Sequence, residues 1–195
     1  MTDSQIALDY LKRSSTIPSI CDEYSLSKAD VVASITNFIK MFPESIYRAR
    51  AYRKLQTELY TTFYKSNVSV KEFASEYGMK IMAFSTLISE AIDDTSIIKS
   101  DVIAYKVYKK LLYEGHSLGK LTPKRIVRLM AEQYVSDSHI TQRSIARQYG
   151  ISRSYIIVLF RQAIESGYFS HNLAEQVMTK ADNMQFKHFK YYSNR

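Results

Sequence analysis

The feature of this sequence that most constrains its fold is the stretch 141–164, in which two short amphipathic patterns meet at a glycine. Thr141 is a good N-cap for a helix whose apolar residues recur every three or four positions. Gly150 then supplies the backbone freedom that a sharp turn needs, and Ser152 can cap a second helix. Because Ala146 is small, the two helices can cross closely at a steep angle. The inward face of the second helix consists of Ile156, Leu159, Phe160 and Ala163.

The spacing of Ala146, Gly150 and Ser152 resembles the helix-turn-helix of DNA-binding proteins such as phage and bacterial repressors and the promoter-reading end of sigma factors. In that family the second helix enters the major groove of double-stranded DNA with its N-terminus first. The resemblance implies that the helix 152–165 reads base edges, with Arg153 as the strongest candidate because a guanidinium group pairs with guanine O6 and N7. The base-reading residues that the resemblance assigns are Ser152, Arg153, Ser154, Ile157 and Val158. The residues that it assigns to phosphates are Gln142, Arg143, Arg147, Tyr155 and Arg161.

The charge of the stretch 141–164 favours a nucleic-acid partner. The stretch contains four arginines and no acidic residue, which is the kind of local field that binds phosphate. The whole chain carries a net charge of +8 and has a pI near 9.4, so its partner is nucleic acid or an anionic membrane surface. No apolar run approaches the ~20 residues of a membrane-spanning helix. Double-stranded DNA is therefore the expected partner, with no membrane insertion.

The same pattern occurs at two further places, in residues 16–39 and 69–92. When Tyr24, Tyr77 and Tyr149 are aligned, a small residue precedes each tyrosine by three positions and an apolar residue follows it by two. The tyrosines are 53 and 72 residues apart. This coincidence predicts three copies of one helix-turn-helix repeat, with a longer insertion before the third.

The three repeats differ in charge. Residues 16–39 contain one lysine against three acidic residues, and residues 69–92 contain two lysines against three acidic residues. Phosphate is repelled by such surfaces, so we interpret the first two repeats as scaffold or partner-binding units. In the second repeat Ile81, Met82 and Ala83 replace the polar start of the reading helix, which favours a protein partner at that surface.

Two longer helices and a break organise the rest of the chain. We expect helices over 44–65, opened by Pro43, and over 95–114. The apolar stripes expected to be buried are Ile46, Tyr52, Leu59 and Phe63 in the first and Ile98, Val102, Tyr105, Tyr108 and Leu112 in the second. The basic residues Arg48, Arg50, Arg53 and Lys54 are interpreted as a solvated face, with a phosphate contact as the alternative. Two glycines and a proline within 115–123 predict a boundary between a domain 1–114 and a DNA-binding domain 121–195.

The C-terminal domain is predicted to contain a helix on each side of the turn motif. The first begins with Thr122 as N-cap and Pro123 as first residue and runs to about Val135. Its neighbouring positive charges are Lys120, Lys124, Arg125 and Arg128. The second, from Asn172 onward, carries a seam formed by Leu173, Val177, Ala181, Met184, His188 and Tyr191. That seam either packs on the third repeat or pairs with a second chain, and a homodimer is the slightly favoured alternative.

The sequence contains no catalytic or cofactor-binding pattern. It has no phosphate-cradling glycine loop, and its histidines lack partners at metal-ligand spacing, so we expect no enzyme activity, no cofactor and no metal. The only cysteine, Cys21, occupies the small-residue position of the first repeat and is expected to be buried by packing. The N-terminal residues lack the pattern of a signal peptide, and we expect a cytoplasmic, nucleoid-associated protein.

Together these patterns predict an all-α protein of tandem tri-helical helix-turn-helix units joined by long helices. The expected function is sequence-specific binding of double-stranded DNA as a transcriptional regulator, a repressor of a mobile element. One alternative is a plasmid or chromosome partition, origin or centromere binding protein, which would use the same contacts. Another is a sigma-like or polymerase-binding adaptor.

Overall fold

Every regular element among the residues that the computed structural model describes, 2–112 and 122–182, is an α-helix, which confirms the all-α prediction. The chain divides into two compact units, one ending at Leu121 and the other beginning at Thr122. The helices of the first unit are α1 (Asp3–Tyr10), α2 (Ile17–Tyr24), α3 (Lys28–Met41), α4 (Ile46–Lys65), α5 (Val70–Glu76), α6 (Ile81–Asp93) and α7 (Asp101–Leu112). The helices of the second unit are α8 (Lys124–Ser136), α9 (Gln142–Tyr149), α10 (Arg153–Glu165) and α11 (His171–Asp182).

Each predicted repeat contains a helix, a tight turn and a second helix, and the turn is closed in the same way in all three. A residue with a left-handed backbone follows the first helix: φ is 54° at Ser25, 63° at Gly78 and 69° at Gly150. The next amide then donates a hydrogen bond back to the small residue of the motif, a closure typical of helix C-termini. The amides of Leu26, Met79 and Ile151 donate to the carbonyl oxygens of Cys21, Ala74 and Ala146 at 3.1, 2.8 and 3.0 Å.

Capping side chains determine where the motif helices begin. The first helix of every repeat starts with a capping box, in which the cap accepts from the amide three residues on and the side chain there binds the cap's amide. The capping residues are Thr16, Ser69 and Thr141. Ser27 and Ser152 cap the second helices of the first and third repeats, whereas Lys80 makes no side-chain cap in the second.

The three motif tyrosines are not equally buried. Tyr77 and Tyr149 are buried, as the aligned pattern predicts, but Tyr24 is only half-buried. Its hydroxyl reaches back to α1 and donates to the carboxylate of Asp9. Lys12 is the strongest partner of Asp9, and together with Tyr24 and Gln5 it holds the pKa of that carboxyl far below its usual range. Cys21 is likewise half-buried, not fully buried as predicted.

A lysine from a later helix closes the supporting helix of each repeat, which the sequence patterns did not indicate. The supporting helices α1, α4 and α8 precede the three motifs, and the last carbonyls of each bind a lysine ammonium group. The lysines are Lys54 of α4, Lys110 of α7 and Lys180 of α11, and they lie 4.6, 4.1 and 4.5 Å from the ring centres of Tyr10, Phe63 and Tyr134. A cation is stabilised both by the helix C-terminus and by the aromatic face. Each repeat is therefore a four-helix unit.

Helix α4 belongs to two repeats. It supplies the lysine that closes α1 in the first repeat, and its own C-terminus is closed by Lys110 in the second. Helices α8 and α11 serve the third repeat alone. This difference explains the unequal spacing of the tyrosines, because the third repeat has a supporting helix of its own.

The buried faces of α4 and α7 differ from the predicted stripes. Ile46 at the start of α4 is 73% exposed, and Val102 at the start of α7 is 63% exposed, because each lies in a first turn that extends beyond the core. Helix α7 starts at Asp101 and not near residue 95, since the carboxylate of Asp94 accepts from the amide of Ser96 and fixes a turn there. The residues that pack inward are Ala51, Leu55, Gln56, Leu59 and Phe63 in α4 and Ala104, Val107, Tyr108 and Leu111 in α7. The expected Tyr52 and Tyr105 are half-buried.

Candidate nucleic-acid interface

The third repeat holds α10 against α8 and α9. Helices α8, α9 and α10 pack against one another, and the rings of Tyr134 and Phe160 lie 5.8 Å apart between α8 and α10. The buried face of α10 consists of Ile156, Leu159, Phe160 and Ala163, as predicted. Because this face is fixed in the core, the opposite face of α10 is turned to solvent along its length.

Most of the predicted DNA-binding residues lie on that exposed surface. All four arginines of the motif are exposed, and Arg143 and Arg147 lie one turn apart on α9. No carboxylate among the described residues forms an ion pair with either of them. The exposed members of the predicted set are Arg143, Arg147, Ser152, Arg153, Ser154, Val158 and Arg161. Tyr155 and Ile157 are half-buried, so each presents only part of its side chain.

Gln142 does not lie where the resemblance implied. It is only 5% exposed, and its Oε1 accepts a hydrogen bond from Nε of Arg153 at 3.3 Å. The assignment of Gln142 to a phosphate is therefore wrong, because its side chain turns inward at the first position of α9 and meets the first residue of α10. This bond leaves both terminal nitrogens of Arg153 available for the end-on fork that guanine O6 and N7 accept.

A small buried polar cluster lies beneath Arg153. The Nε2 of Gln142 and the hydroxyl of Tyr134 are buried without a hydrogen-bond partner among the described residues. Burial raises the pKa of Tyr134, while the Gln142 amide and the charge of Arg153 act on it in the opposite direction. The acceptor of Gln142 is thus committed to Arg153, while its amide nitrogen lies near the Tyr134 hydroxyl without a well-formed hydrogen bond.

The additional positive charge predicted beside the motif is smaller than expected. Arg125 is buried, with 4% of its surface exposed, because it lies on the inner face of α8. Arg128 lies 3.5 Å from the carboxylate of Glu132, one turn further along α8. Lys124 is exposed, with its ammonium group 5.8 Å from the ring centre of Tyr168. Lys120 lies outside the described residues.

The C-terminal seam packs within the chain where the structure describes it. Val177 and Ala181 on α11 are buried, and α11 packs against α8. Leu173 is half-buried. Met184, His188 and Tyr191 lie outside the described residues, and pairing with a second chain stays a prediction.

In the first repeat, the start of α3, which corresponds to the reading helix α10, is covered. Lys28, at the position that Arg153 holds in the third repeat, forms an ion pair of 2.5 Å with Glu76 and lies 5.3 Å from the ring centre of Tyr77. A Cβ atom built on Gly78 would be 2.8 Å from that of Ala29. The turn of the second repeat thus packs directly on the N-terminus of α3.

The second repeat leaves an apolar start exposed. Met82 is 65% exposed, and Lys80 and Ala83 are also exposed, while Ile81 is half-buried. The predicted protein partner at this surface stays a prediction. Neither of the first two repeats thus presents an unpaired arginine at the position of Arg153.

No protein-family model, curated protein or solved structure matches the chain. None of the described helices combines the length and the apolar character that crossing a membrane requires. Within residues 2–112 and 122–182, no three His, Cys, Asp or Glu side chains cluster in a way that could hold a metal ion.

Proposed function

We propose that this protein binds double-stranded DNA in a sequence-specific manner through its third repeat and acts as a transcriptional regulator, a repressor of a mobile element. One observation carries the proposal: three exposed arginines, Arg143, Arg147 and Arg153, lie on α9 and at the N-terminus of α10, in a motif that contains no carboxylate. Uncompensated arginines of this kind release counterions when they meet phosphates.

The contacts divide into two classes. Arg153, held by Gln142, reads guanine with its two terminal nitrogens, and the exposed Val158 contacts a thymine methyl group. Arg143, Arg147 and Arg161 bind phosphates and set the position of α10 without carrying sequence information. Ser152 is occupied mainly as the cap of α10, since its Oγ accepts from the amide of Tyr155 at 3.2 Å.

Selection of binding sites from a random pool of duplexes tests the proposal, followed by titrations of the selected site at several salt concentrations. We expect one enriched sequence. The logarithm of affinity should fall with the logarithm of salt concentration with a slope of magnitude about 4, since Lys124 and the three phosphate-binding arginines each contribute about 0.9. Absence of an enriched sequence together with a nearly flat slope would contradict a role in DNA binding and leave the adaptor alternative.

Arg153→Ala supplies the matched control for specificity. This substitution should reduce the free energy of binding to the selected site by ~1–3 kcal/mol and relax the preference for one base pair, with little change in non-specific binding. Mapping of bound sites in the genome then separates the two DNA-binding alternatives. A repressor occupies an operator beside its own gene, whereas a partition or centromere protein occupies a clustered array.

A further inference from the structure

A second cationic surface lies on the first compact unit, and no residue of the second motif helices of that unit, α3 and α6, lines it. An open groove of about 800 Å³ runs between the end of α1 and the outer side of α4. Its charged lining residues are Lys12, Arg13, Arg50, Arg53, Lys54 and Glu58. Five cations therefore face one carboxylate, in a unit whose helix-turn-helix windows are both acidic. We call this surface the α1–α4 groove.

The single carboxylate of the groove is already committed to the fold. Glu58 accepts from the hydroxyl of Tyr10 at 2.9 Å and from the amide of Ile17 at 2.7 Å. Its charge is thus directed toward α1 and α2, and it forms no ion pair with Arg13 or Arg50.

The cations of the groove fall into a structural and an available set. Lys12 pairs with Asp9, Arg53 binds Ser96 and lies 4.0 Å from Asp94, and Lys54 closes α1. Arg13 and Arg50 are exposed, and neither forms an ion pair with a carboxylate among the described residues. Two arginines next to three further cations are arranged to bind an anion and are not needed to hold the helices together.

Comparison among the repeats shows that this charge is not a property of the four-helix unit itself. When the capping lysines are aligned, Arg50 and Arg53 correspond to Lys106 and Lys109 in the second repeat but to Gln176 and Thr179 in the third. The corresponding groove of the third repeat has Glu175 and Lys180 as its charged lining residues, one of each sign. The two aligned positions therefore carry cations in the two repeats whose helix-turn-helix windows are acidic, and neutral side chains in the repeat whose window is basic.

We propose that the α1–α4 groove binds the sugar-phosphate backbone of a nucleic acid, independently of sequence and separately from the third repeat. The rest of its lining includes the hydroxyl side chains of Ser15, Thr16, Thr57, Thr61 and Thr62. Arginine, lysine, serine and threonine are the side chains that contact phosphate and sugar. The cores of protein interfaces combine arginine with aromatic residues and methionine and are depleted in lysine and serine. None of the exposed large apolar side chains of the described chain lines the groove.

The test compares two double variants that remove the same charge from the full-length chain. Arg13→Gln with Arg50→Gln neutralises the groove, and Lys71→Gln with Lys80→Gln neutralises two exposed lysines of the second repeat. Thermal unfolding followed by circular dichroism checks that both variants fold. The probes are a fluorescein-labelled 30-bp duplex of arbitrary sequence and a single strand of the same length, titrated by anisotropy at several salt concentrations.

We expect the groove variant to lower the magnitude of the salt slope by about 2, at about 0.9 for each lost phosphate contact, and to weaken binding roughly tenfold near 0.1 M salt. The control variant should leave the slope nearly unchanged. The duplex and the single strand identify which form of backbone the groove prefers, according to which loses more affinity.

Equal losses in the two variants, or an unchanged slope in the groove variant, would overturn the proposal. So would a larger loss of binding to poly-L-glutamate than to DNA, because the groove would then be a site for an acidic protein. The proposed reading of DNA by the third repeat fails separately. Suppose that no duplex is preferred and that Arg153→Ala has no effect, while the groove variant still lowers the salt slope. The proposal for the groove would then stand, and the proposed sequence-specific function would be refuted.

Discussion

The bond between Gln142 and Arg153 allows a substitution whose effects on stability and on DNA recognition have opposite signs. In Gln142→Met the side chain keeps its length but loses both its acceptor and its donor. The acceptor oxygen holds Nε of Arg153 at 3.3 Å, whereas the donor nitrogen is buried without a partner among the described residues. Methionine therefore removes the support of Arg153 and also removes an unsatisfied buried group.

The expected magnitudes follow from these two contacts. A buried donor without a partner costs ~1–3 kcal/mol, so the free energy of unfolding should stay the same or rise in Gln142→Met. A hydrogen bond from a charged donor contributes ~1.5–3 kcal/mol, and the distance of 3.3 Å places this one at the low end. Because this bond is present in the free protein and in the complex, its loss bears on stability, where removal of the unsatisfied donor offsets it. Affinity loses only the entropy of ordering the freed arginine side chain on DNA, ~0.5–1.5 kcal/mol. We expect a loss of about 1 kcal/mol, roughly fivefold, at the base pair that Arg153 reads.

A double-mutant cycle measures this coupling. Affinities of the wild type, Gln142→Met, Arg153→Ala and the double variant are determined on the selected duplex and on one with that base pair changed. Gln142→Met should have no further effect once Arg153 is removed. Gln148→Met is the matched control, because that glutamine lies on the exposed side of α9 and accepts from Gln133. Additive losses in the cycle, or a loss of stability that accounts for the weaker binding, would refute the positioning role of Gln142.

Three further predictions concern phosphate binding, backbone packing and acid stability. Arg143→Ala should weaken binding to the selected duplex and to unrelated duplexes equally, and lower the magnitude of the salt slope by about 1. Gel-shift titrations in which only binding to the selected duplex is weakened would contradict this prediction. Gly78→Ala should lower the free energy of unfolding, measured in urea, by more than Gly167→Ala does. Both glycines have a positive φ, at which a side chain costs ~1–2 kcal/mol. Only at Gly78 does the new methyl group also meet another helix. Asp9, whose pKa Lys12 holds low, contributes stability that is fully present above the pKa of an unfolded aspartate and is lost as pH falls below it. Asp9→Asn should therefore flatten the loss of stability between about pH 5 and pH 2 in thermal melts, and an unchanged acid profile would count against that role.

The parts of the fold that local chemistry determines could be read from the sequence. A small residue, a tyrosine and a turn residue recur at fixed spacing, and a cap precedes each motif, so the three turns and the buried face of α10 follow from neighbouring residues alone. The same holds for the exposed arginines, since the apolar stripe of each helix fixes which side of it faces solvent.

The contacts that sequence reasoning missed connect helices far apart in the chain. Lys54 looks like a member of a solvated basic face, yet its ammonium group closes α1 over the ring of Tyr10. Long cationic side chains can bury their stems and still reach a polar partner, and nothing in the local pattern distinguishes that state from full exposure. The recurrence of a lysine 30 to 33 residues after each motif tyrosine was the one available signal. Gln142 was misplaced for a similar reason, because its inward turn depends on where Arg153 begins the next helix.

The sharing of α4 gives a physical reason why the reading helices differ among the repeats. When one helix both closes the first repeat and supports the second, the two motifs lie close together, and the turn at Gly78 packs against Ala29 at the start of α3. The ammonium group of Lys28 then pairs with the carboxylate of Glu76, so its charge is not available to a phosphate. The third repeat has its own supporting helix in α8, so no second motif lies against α10 within the described part of its compact unit. The start of α3 is thus covered by the neighbouring motif, whereas the outer side of α4 lines the α1–α4 groove and carries its cations.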